Sequence, residues 1–330
     1  MTVCVAALCD GSTIVGASDR MITAGDVQFE PEQMKSWWMN PSIVVMISGD
    51  TTLQTEILLG VYAEVADRIR SEPDNWWNVS DVTSLYVRHY NAIRSSRAED
   101  AVLSPLGLTR DTFISRQHEM SASLIERLSS DLLHFDLPQI SAIVAGIDPS
   151  GAHLWLISKS GRTLAPSCHD NAGFVSIGMG RWHSQSQFMF SGHTRLRPFP
   201  ETLLLTYSAK KRAEVAPGVG SGTDMFLITA LGRSVQSVSG EVLKDLNKIY
   251  RKERQQAQAA TSRAIQSATH YISRLLQEEM QRTQNVPAVD DGLVAIKLAK
   301  GYGDHKAGET MRVDPVRAAW LREHGYEESA

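Results

Sequence analysis

The sequence predicts an α+β fold with a helical C-terminal extension, and three patterns lead to that prediction. Short, apolar, β-prone runs bounded by turn residues recur along the chain, as at residues 2–8, 13–18 and 43–47. A stripe of apolar residues with helical spacing follows at 51–71. A much longer helical pattern occupies residues 239–281.

The first two apolar runs predict an N-terminal hairpin. Residues 2–8 and 13–18 are both β-prone, and Asp10-Gly11 supplies the turn between them. The hairpin places Thr2 at one strand end and Asp19 at the end of the partner strand. We therefore expect these two side chains to lie close together.

A second strand pair and a helix follow the hairpin. Lys35 precedes Trp37-Trp38, which with residues 43–47 predicts the strand pair, and Gly49 precedes the helix. A Gly amide at a strand-to-helix junction, near the positive end of a helix, is suited to hold an oxyanion. An ordinary tight turn is the alternative interpretation of Gly49. The apolar stripe of the helix consists of Ile57, Leu58, Val61, Tyr62, Val65 and Ile69.

The middle of the chain contains both helical and strand patterns. Residues 78–95 and 120–133 have helical spacing, and we expect a loop at 96–117 between them. The sequence does not indicate the role of residues 96–138. Further strands are predicted at 140–148, 153–158 and 221–229.

The C-terminal third is predicted to be a separate extension. We expect one domain at residues 1–235 and a helical extension and tail at 236–330. An amphipathic helix over 239–281 cannot bury its apolar stripe alone, so we expect it to pack on the domain or on a neighbouring subunit. Residues 293–298 predict a short strand, and 312–330 predict a terminal helix followed by an acidic tip.

Composition argues against several classes of function. A net charge of -4 gives no electrostatic reason to bind nucleic acid or an anionic membrane, and we interpret Lys210 to Arg212 as a solvated helix face. No signal-peptide pattern is visible, and no apolar run approaches the ~20 residues that span a bilayer. The three cysteines lack paired spacing, so we expect neither disulfides nor a zinc site. Free cysteines also predict a cytoplasmic location. The histidines lack metal-binding spacing and Gly218 to Gly222 is not followed by a Lys, so we expect no metal and no cofactor.

Thr2 is a candidate nucleophile. Methionine aminopeptidase removes an initiator Met that precedes a small residue, and its action here would expose the Thr2 α-amine. The hydroxyl would then be the nucleophile and the amine its base. An α-amine titrates near ~8, so part of it is neutral at cytosolic pH. Because many proteins begin Met-Thr by chance, Thr2 alone does not establish catalysis.

Several motifs after Thr2 occur in a characteristic order. A strand ends at Asp19, and Thr23-Ala24-Gly25, Lys35 and Gly49 follow. In these residues the chain resembles the proteasome β-subunit and HslV family of N-terminal nucleophile hydrolases. The intervals from Asp19 to Lys35 and from Lys35 to Gly49 match the family, while the hairpin is about one residue longer. The resemblance covers roughly residues 2–232, in which residues 96–138 are an insertion. It implies a strand at 174–180, helices at 181–190 and 201–216, and a four-layered αββα sandwich with two antiparallel sheets between helical layers.

The resemblance implies specific roles for individual residues. Lys35 would tune the pKa of the groups around it, Asp19 would orient Lys35, and the Gly49 amide would hold the oxyanion. Backbone groups of Thr23 and Gly49 would pair with an extended peptide. The implied catalytic residues are Thr2, Asp19, Lys35, Gly49 and Ser221, and the walls of the first specificity pocket are Ile22, Gln33, Trp37 and Ile47.

Two residues depart from the family pattern. Met179 stands where active members usually have a Ser in a Gly-x-Gly bend, and Gly218 stands where an Asp often precedes the final Ser-Gly. Both missing groups belong to the outer shell that orients the Thr amine. Trp37 would narrow the specificity pocket, and packing in the core or at an interface is its alternative role.

The sequence and the resemblance together predict a threonine-type peptidase. It would cleave peptide or protein substrates by acyl transfer to Thr2 after Met1 is removed. The resemblance implies self-assembly into a ring or other homo-oligomer, and it makes an ATPase unfoldase a candidate partner. Two alternatives remain open: a catalytically inactive scaffold subunit of the same fold, and an amidase that acts on a small molecule.

Overall fold

The chain is a mixed α/β structure with two antiparallel five-stranded sheets, two smaller antiparallel ribbons and eight helices in its described part. It divides into two compact units, Met1–Glu253 and Arg254–Ala330. The computed structural model describes residues 2–24, 27–31, 34–73, 76–230, 234–284 and 292–327.

The first sheet contains the N-terminal hairpin, which confirms that prediction. β1 (Val3–Cys9) pairs antiparallel with β2 (Thr13–Ser18), with Cys4 opposite Ser18. Asp10 and Gly11 have φ angles of 50° and 71°, so both adopt the left-handed conformation in the turn between Cys9 and Thr13. The strand order is β10-β1-β2-β11-β12, where the later strands are β10 (Phe174–Gly178), β11 (Asp224–Thr229) and β12 (Ser234–Ser237).

The second sheet follows the order of the chain. Its first two strands are the pair predicted after Lys35, and each strand pairs antiparallel with the next. A small ribbon of β3 (Ile22–Ala24) and β4 (Val27–Phe29) lies between the hairpin and this sheet in sequence. The sheet consists of β5 (Ser36–Asn40), β6 (Ile43–Gly49), β7 (Ile140–Asp148), β8 (Gly151–Ser160) and β9 (Thr163–Cys168).

The first helix begins directly after Gly49. Asp50 caps it, because its carboxylate accepts a hydrogen bond of 2.8 Å from the backbone N–H of Leu53. The helices are α1 (Thr51–Ser71), α2 (Val79–Val102), α3 (Arg110–Ser115), α4 (Ala122–His134), α5 (Arg181–Phe190), α6 (Phe199–Ala213), α7 (Gly240–Gln284) and α8 (Pro315–Glu323).

Three hydrophobic clusters join the elements of the first unit. One lies between the two sheets, a second joins the second sheet to α1 and α2, and a third joins the first sheet to α5, α6 and the start of α7. β1 contributes to both clusters that involve the first sheet, so it is packed on both faces. The clusters contain, for example, Leu8, Ile143 and Phe226; Leu58 and Tyr86; and Phe188 and Tyr207.

The loop predicted at 96–117 is wrong in part. α2 continues to Val102, and α3 forms within the segment after a capping box at Thr109. Both helices have tertiary support, because Leu103, Phe113 and Leu128 pack together in a small cluster of their own. The mixed charges that suggested a loop lie on the solvent side of these helices.

The second unit contains the rest of α7 and a small β-α module. β13 (Val294–Lys297) confirms the predicted strand and pairs antiparallel with β14 (Thr310–Val313). The helix predicted from residue 312 begins later, because Asp314 caps α8 and Pro315 occupies its first position. The core of the module consists of Ile296, Leu298, Val313, Ala318 and Leu321.

α7 is the long helix predicted at 239–281, but most of its apolar stripe is exposed. Leu246 and Tyr250 are buried in the first unit, whereas Ile265, Ile272 and Leu276 are more than half exposed. Its packing on a neighbouring subunit stays a prediction. Among the described residues, no helix is both long enough and apolar enough to cross a bilayer.

Candidate active site

Thr2, Asp19 and Lys35 lie in direct contact. Thr2 precedes β1 and Asp19 follows β2, so the antiparallel register brings the two residues together. The Thr2 hydroxyl donates a hydrogen bond to Asp19 Oδ1. Lys35 Nζ donates to Thr2 Oγ1, to Asp19 Oδ1 at 2.9 Å and to the carbonyl of Met21. All three donors of the ammonium group are therefore used, and the hydroxyl contacts both charged groups.

The Asp19 carboxylate is fixed by the backbone around it. It is fully buried, and it accepts hydrogen bonds from the N–H groups of Val3 (2.9 Å), Met21 (3.0 Å) and Gly220 (2.9 Å). A buried carboxylate requires such donors, because an unpaired charge in a protein interior is strongly destabilising. Asp19 is therefore a rigid acceptor for both Lys35 and Thr2.

Gly49 lies at the end of β6, next to the same cavity. Its φ angle is 107°, in the region that favours glycine, and an added Cβ would lie 2.2 Å from the carbonyl oxygen of Gln139. No other residue fits this position without moving β7. A glycine here brings the backbone of the β6–α1 junction to the cavity wall.

A cavity of about 680 Å³ connects these groups. Thr2, Lys35 and Gly49 line one part of it, and apolar side chains form the remainder together with one face of α1. Volumes of ~300–1,000 Å³ are typical of small-molecule and peptide side-chain sites. The apolar wall consists of Met21, Ile22, Met34, Trp37, Ile47 and Leu59.

The predicted substrate-binding residues are distributed around this cavity. Ile22, Trp37 and Ile47 line it. Trp37 also packs against the core between the second sheet and its helices, so both of its proposed roles have support. Thr23 lies in β3 beside Ile22. Gln33 lies outside the described residues.

Ser221 contacts a different carboxylate from the one that binds Thr2. It lies between α6 and β11, and its hydroxyl donates to Glu30 at 3.4 Å. Glu30 also accepts a hydrogen bond of 3.1 Å from the backbone N–H of Gly222. Glu30 thus supplies a carboxylate to the segment that follows Gly218.

Lys210 contacts the segment that binds Asp19, and the sequence interpretation missed its burial. The run Lys210 to Arg212 was expected to be solvated, yet Lys210 is fully buried. Burial lowers its pKa, and the neighbouring Glu214 carboxylate opposes that effect. The signal was present in the helical spacing, since Lys210 lies on the same face as the buried Thr206 and Ala213.

The bend that contains Met179 contacts Thr2 through its backbone. The N–H of Gly180 donates to the Thr2 carbonyl at 3.3 Å, and a Cβ on Gly178 would lie 2.2 Å from the same oxygen. Met179 itself is 55% exposed, so its side chain does not replace the Ser of the family pattern. The backbone of the bend still fixes Thr2.

A second hydroxyl–imidazole–carboxylate cluster lies at the β7–β8 turn. Ser150 Oγ is 2.8 Å from His153 Nε2, and His153 Nδ1 is 2.6 Å from Asp170. However, the Ser150 hydroxyl also donates to Asp148 at 2.6 Å, and that carboxylate accepts the Ser150 backbone N–H as well. This pattern closes a turn, so we do not interpret Ser150 as a nucleophile.

A buried thiol also lies beside Thr2. Cys4 follows Thr2 closely, but burial raises the pKa of its thiol to about 12, which keeps it protonated. All three cysteines belong to the described residues and are free. In the part of the chain that the structure describes, no group of three or more His, Cys, Asp or Glu side chains is arranged as a metal site.

Comparisons with known proteins give no family assignment. No protein-family model matches the chain, and no curated protein is significantly similar to it. The interpretation of the cavity therefore depends on its geometry and on the motif resemblance described above.

Proposed function

We propose that the chain is an N-terminal threonine hydrolase that cleaves peptide bonds by acyl transfer to Thr2, once the bond between Met1 and Thr2 is cut. The observation that carries the proposal is the hydrogen bond from Lys35 Nζ to Thr2 Oγ1, with Asp19 bound to both. A cation on a hydroxyl oxygen favours negative charge there, which makes the hydroxyl a better nucleophile.

The proposed reaction has two stages. In the first, Thr2 Oγ1 bonds to the scissile carbonyl carbon and its proton passes to the Thr2 α-amine, directly or through a water. The tetrahedral intermediate collapses, the leaving amine takes that proton, and an ester remains on Thr2. In the second stage, a water attacks the ester and gives its proton to the α-amine. The bond between the carbonyl carbon and Thr2 Oγ1 then breaks, the α-amine returns the proton to Oγ1, and a carboxylic acid leaves.

Gly49 and the apolar wall have complementary roles in this proposal. The Gly49 amide, at the N-terminal end of α1, holds the oxyanion, and the backbone of Thr23 and Gly49 pairs with the substrate. An apolar side chain of the substrate enters the pocket formed by Ile22, Trp37 and Ile47, which supports a preference for modest apolar residues. We also propose that Gln33 forms part of the wall of the specificity pocket and that Ser221 is one of the catalytic residues.

We also propose the four-layered αββα arrangement of the proteasome β-subunit and HslV family. The three clusters support it, because each one lies between two of the successive groups of elements: α1 and α2, the second sheet, the first sheet, and α5 to α7. Assembly into a homo-oligomeric ring and docking of an ATPase unfoldase follow from this proposal. The free cysteines are consistent with the cytoplasmic location that we propose.

A catalytically inactive scaffold subunit is the second candidate. The observation in its favour is the departure from the family at Met179 and Gly218. Against it stands the retained set of contacts among Thr2, Asp19 and Lys35, which a scaffold would not need. An amidase that acts on a small molecule would use the same contacts, and substrate tests distinguish it.

Mass spectrometry of the N-terminal peptide after incubation with an epoxyketone tests the proposal. This probe requires both the Thr hydroxyl and its free amine. We expect an adduct on Thr2 with Met1 removed, and no adduct and no turnover in Thr2→Ala. An intact Met1, or a free Thr2 that stays unmodified, would favour the scaffold. An adduct without cleavage of any fluorogenic peptide would favour the small-molecule amidase.

A further inference from the structure

Lys210 forms an internal clamp on the segment between α6 and β11. Its side chain is fully buried, and Nζ donates to the carbonyl oxygens of Gly220 at 3.0 Å and Ser221 at 3.1 Å. The third donor binds Glu214 Oε1 at 2.6 Å. A buried ammonium is costly unless its donors are satisfied, and here all three are. Two successive carbonyl oxygens are thus held on one cation.

The clamped segment is connected directly to Asp19. The N–H of Gly220 donates to Asp19 Oδ2 at 2.9 Å, while the other oxygen of the same carboxylate binds Thr2 and Lys35. Because a carboxylate is planar and rigid, fixing Oδ2 also fixes the direction of Oδ1. We propose that Lys210 is a positioning residue, which orients the Asp19 carboxylate through Gly220 and thereby sets the contact between Lys35 and Thr2.

On the side opposite Lys210, the segment packs against Glu30 and Met21. Glu30 holds it from the exposed side through Gly222 and Ser221, and an added Cβ on Gly220 would lie 1.9 Å from Glu30 Oε1 and 2.9 Å from Met21 Cβ. The segment therefore fits closely between Glu30 and Met21 on one side and Lys210 on the other. Removing Lys210 leaves the buried Gly220 carbonyl without this donor, and the segment must shift to bring that carbonyl to water.

Lys210→Met is the informative variant, and Lys211→Met is its matched control. Lys211 also donates to Glu214 Oε1 at 2.6 Å. Among its described contacts, Glu214 is the one hydrogen-bond partner of Lys211, so Lys211 does not bind the segment. Both variants remove one positive charge and one ion pair from the same helix, and only the first releases the clamp. Lys210→Gln serves if Lys210→Met does not fold, because it keeps a polar group but has neither the charge nor the reach.

Two measurements on the full-length chain test the proposal, which rests on the proposed function. The first is the exchange of the Gly220 amide hydrogen, resolved to the single residue. The second is the epoxyketone inactivation of Thr2, with the maximal rate separated from the concentration dependence. Outer-shell groups that orient metal ligands are worth about 10–100-fold. We expect a similar loss in the maximal rate, and faster Gly220 exchange, in Lys210→Met and not in Lys211→Met.

The outcomes separate the two proposals. Faster exchange with an unchanged inactivation rate, measured below the unfolding temperature, would reduce Lys210 to a structural residue and overturn the positioning role. Unchanged Gly220 exchange would overturn the clamp itself. A wild-type chain that never reacts would contradict the proposed function, and Gly220 exchange would then still support or overturn the connection from Lys210 to Asp19.

Discussion

At the scale of single residues, Asp19 is the point where the hydrogen bonds of the cavity converge. Its carboxylate accepts from Thr2, Lys35 and three backbone N–H groups. This number of donors can be satisfied only by an ionised carboxylate, which has two acceptor oxygens and no hydrogen. The orientation of Lys35 depends on it directly.

Asp19→Asn is expected to lose both activity and stability. The amide NH₂ group would face backbone N–H donors, and Lys35 would lose its buried counter-ion. We expect a loss of ~10²-fold or more in the reactivity of Thr2, by analogy with the removal of a transition-state contact. Breaking a buried ion pair typically destabilises by ~3–5 kcal/mol. Epoxyketone labelling and urea unfolding measure the two effects.

Asp224→Asn is the matched control for this prediction. Asp224 also forms an ion pair, in its case with Arg20, which donates to both of its oxygens at 2.6–3.1 Å, but it has no described contact with Thr2. We expect a smaller loss of stability, because Arg20 is one third exposed, and little change in labelling. Equal labelling of Asp19→Asn and wild type would refute the role of Asp19.

The site residues that sequence alone could predict are those on regular elements with fixed spacing. Thr2, Asp19, Lys35 and Gly49 are at strand ends, and their intervals match a known motif. The burial of Lys210 was missed because three successive basic residues usually form a solvated surface. Its burial depends instead on its position on the buried face of α6. Glu30 follows a three-residue strand, and no periodicity indicates which residues it contacts.

At the scale of elements, the position of Thr2 depends on the close approach of β10 to the start of β1. Gly178 is opposite Val3, has a φ angle of 89°, and would place a Cβ 2.2 Å from the Thr2 carbonyl oxygen. The end of β10 therefore tolerates only glycine at position 178. The same strand end provides the Gly180 N–H that binds the Thr2 carbonyl.

Gly178→Ala is expected to displace Thr2 and to slow its labelling strongly. The backbone strain of an alanine at positive φ costs roughly 1–2 kcal/mol, and the contact with Thr2 adds to it. Gly161→Ala is the matched control: Gly161 also has a positive φ, 62°, but nothing lies within 4 Å of the added Cβ. Thermal unfolding and epoxyketone labelling of both variants check this. Identical labelling rates would show that β10 does not position Thr2.

Elements were predictable where burial and periodicity agree. β1, β2, β6 and β7 have largely continuous apolar patterns, and these four strands lie as expected. The helices at 96–117 were not predicted, because their support comes from Leu103, Phe113 and Leu128, which contact each other across a gap in sequence. The charged residues of this segment favoured a loop in the sequence interpretation, which cannot detect such tertiary contacts.

At the scale of the whole molecule, the ends of β1 and β10 are linked by a buried histidine. His193 Nε2 lies 3.1 Å from the carbonyl of Leu8 and 3.2 Å from that of Gly173, and its Nδ1 has no hydrogen-bond partner among the described residues. Burial lowers the pKa of His193, because protonation would place a charged N–H without a partner. The pKa of His169 is lowered by burial as well.

The free energy of unfolding is therefore expected to fall as the pH decreases from 7 towards 5. The unfolded chain takes up protons at the ordinary histidine pKa near 6.5, whereas the folded chain does so at lower pH. The native state loses stability across that interval and the loss levels off below the folded pKa. Asp136, whose pKa Lys159 lowers, changes protonation below this range.

Urea unfolding at a series of pH values measures this effect. His193→Gln should flatten the dependence between pH 7 and 5, whereas His118→Gln, at a side chain 75% exposed, should leave it unchanged. A dependence that stays the same in His193→Gln would show that other groups cause it.

The homo-oligomeric ring and the ATPase partner also belong to the scale of the whole molecule. Both remain predictions, because the exposed apolar stripe of α7 does not identify the chain that packs on it.

The cavity beside Thr2 also has a consequence for ligand design. A ligand that is already bound in this partly apolar cavity of about 680 Å³ presents its electrophile to Thr2 as an intramolecular partner. Binding therefore greatly raises the effective concentration of the electrophile at the Thr2 hydroxyl. The warhead itself would then contribute little selectivity. Selectivity would be decided earlier, by reversible contacts with Met34 and Leu59 and with the Glu56 carboxylate on α1, before any covalent bond forms.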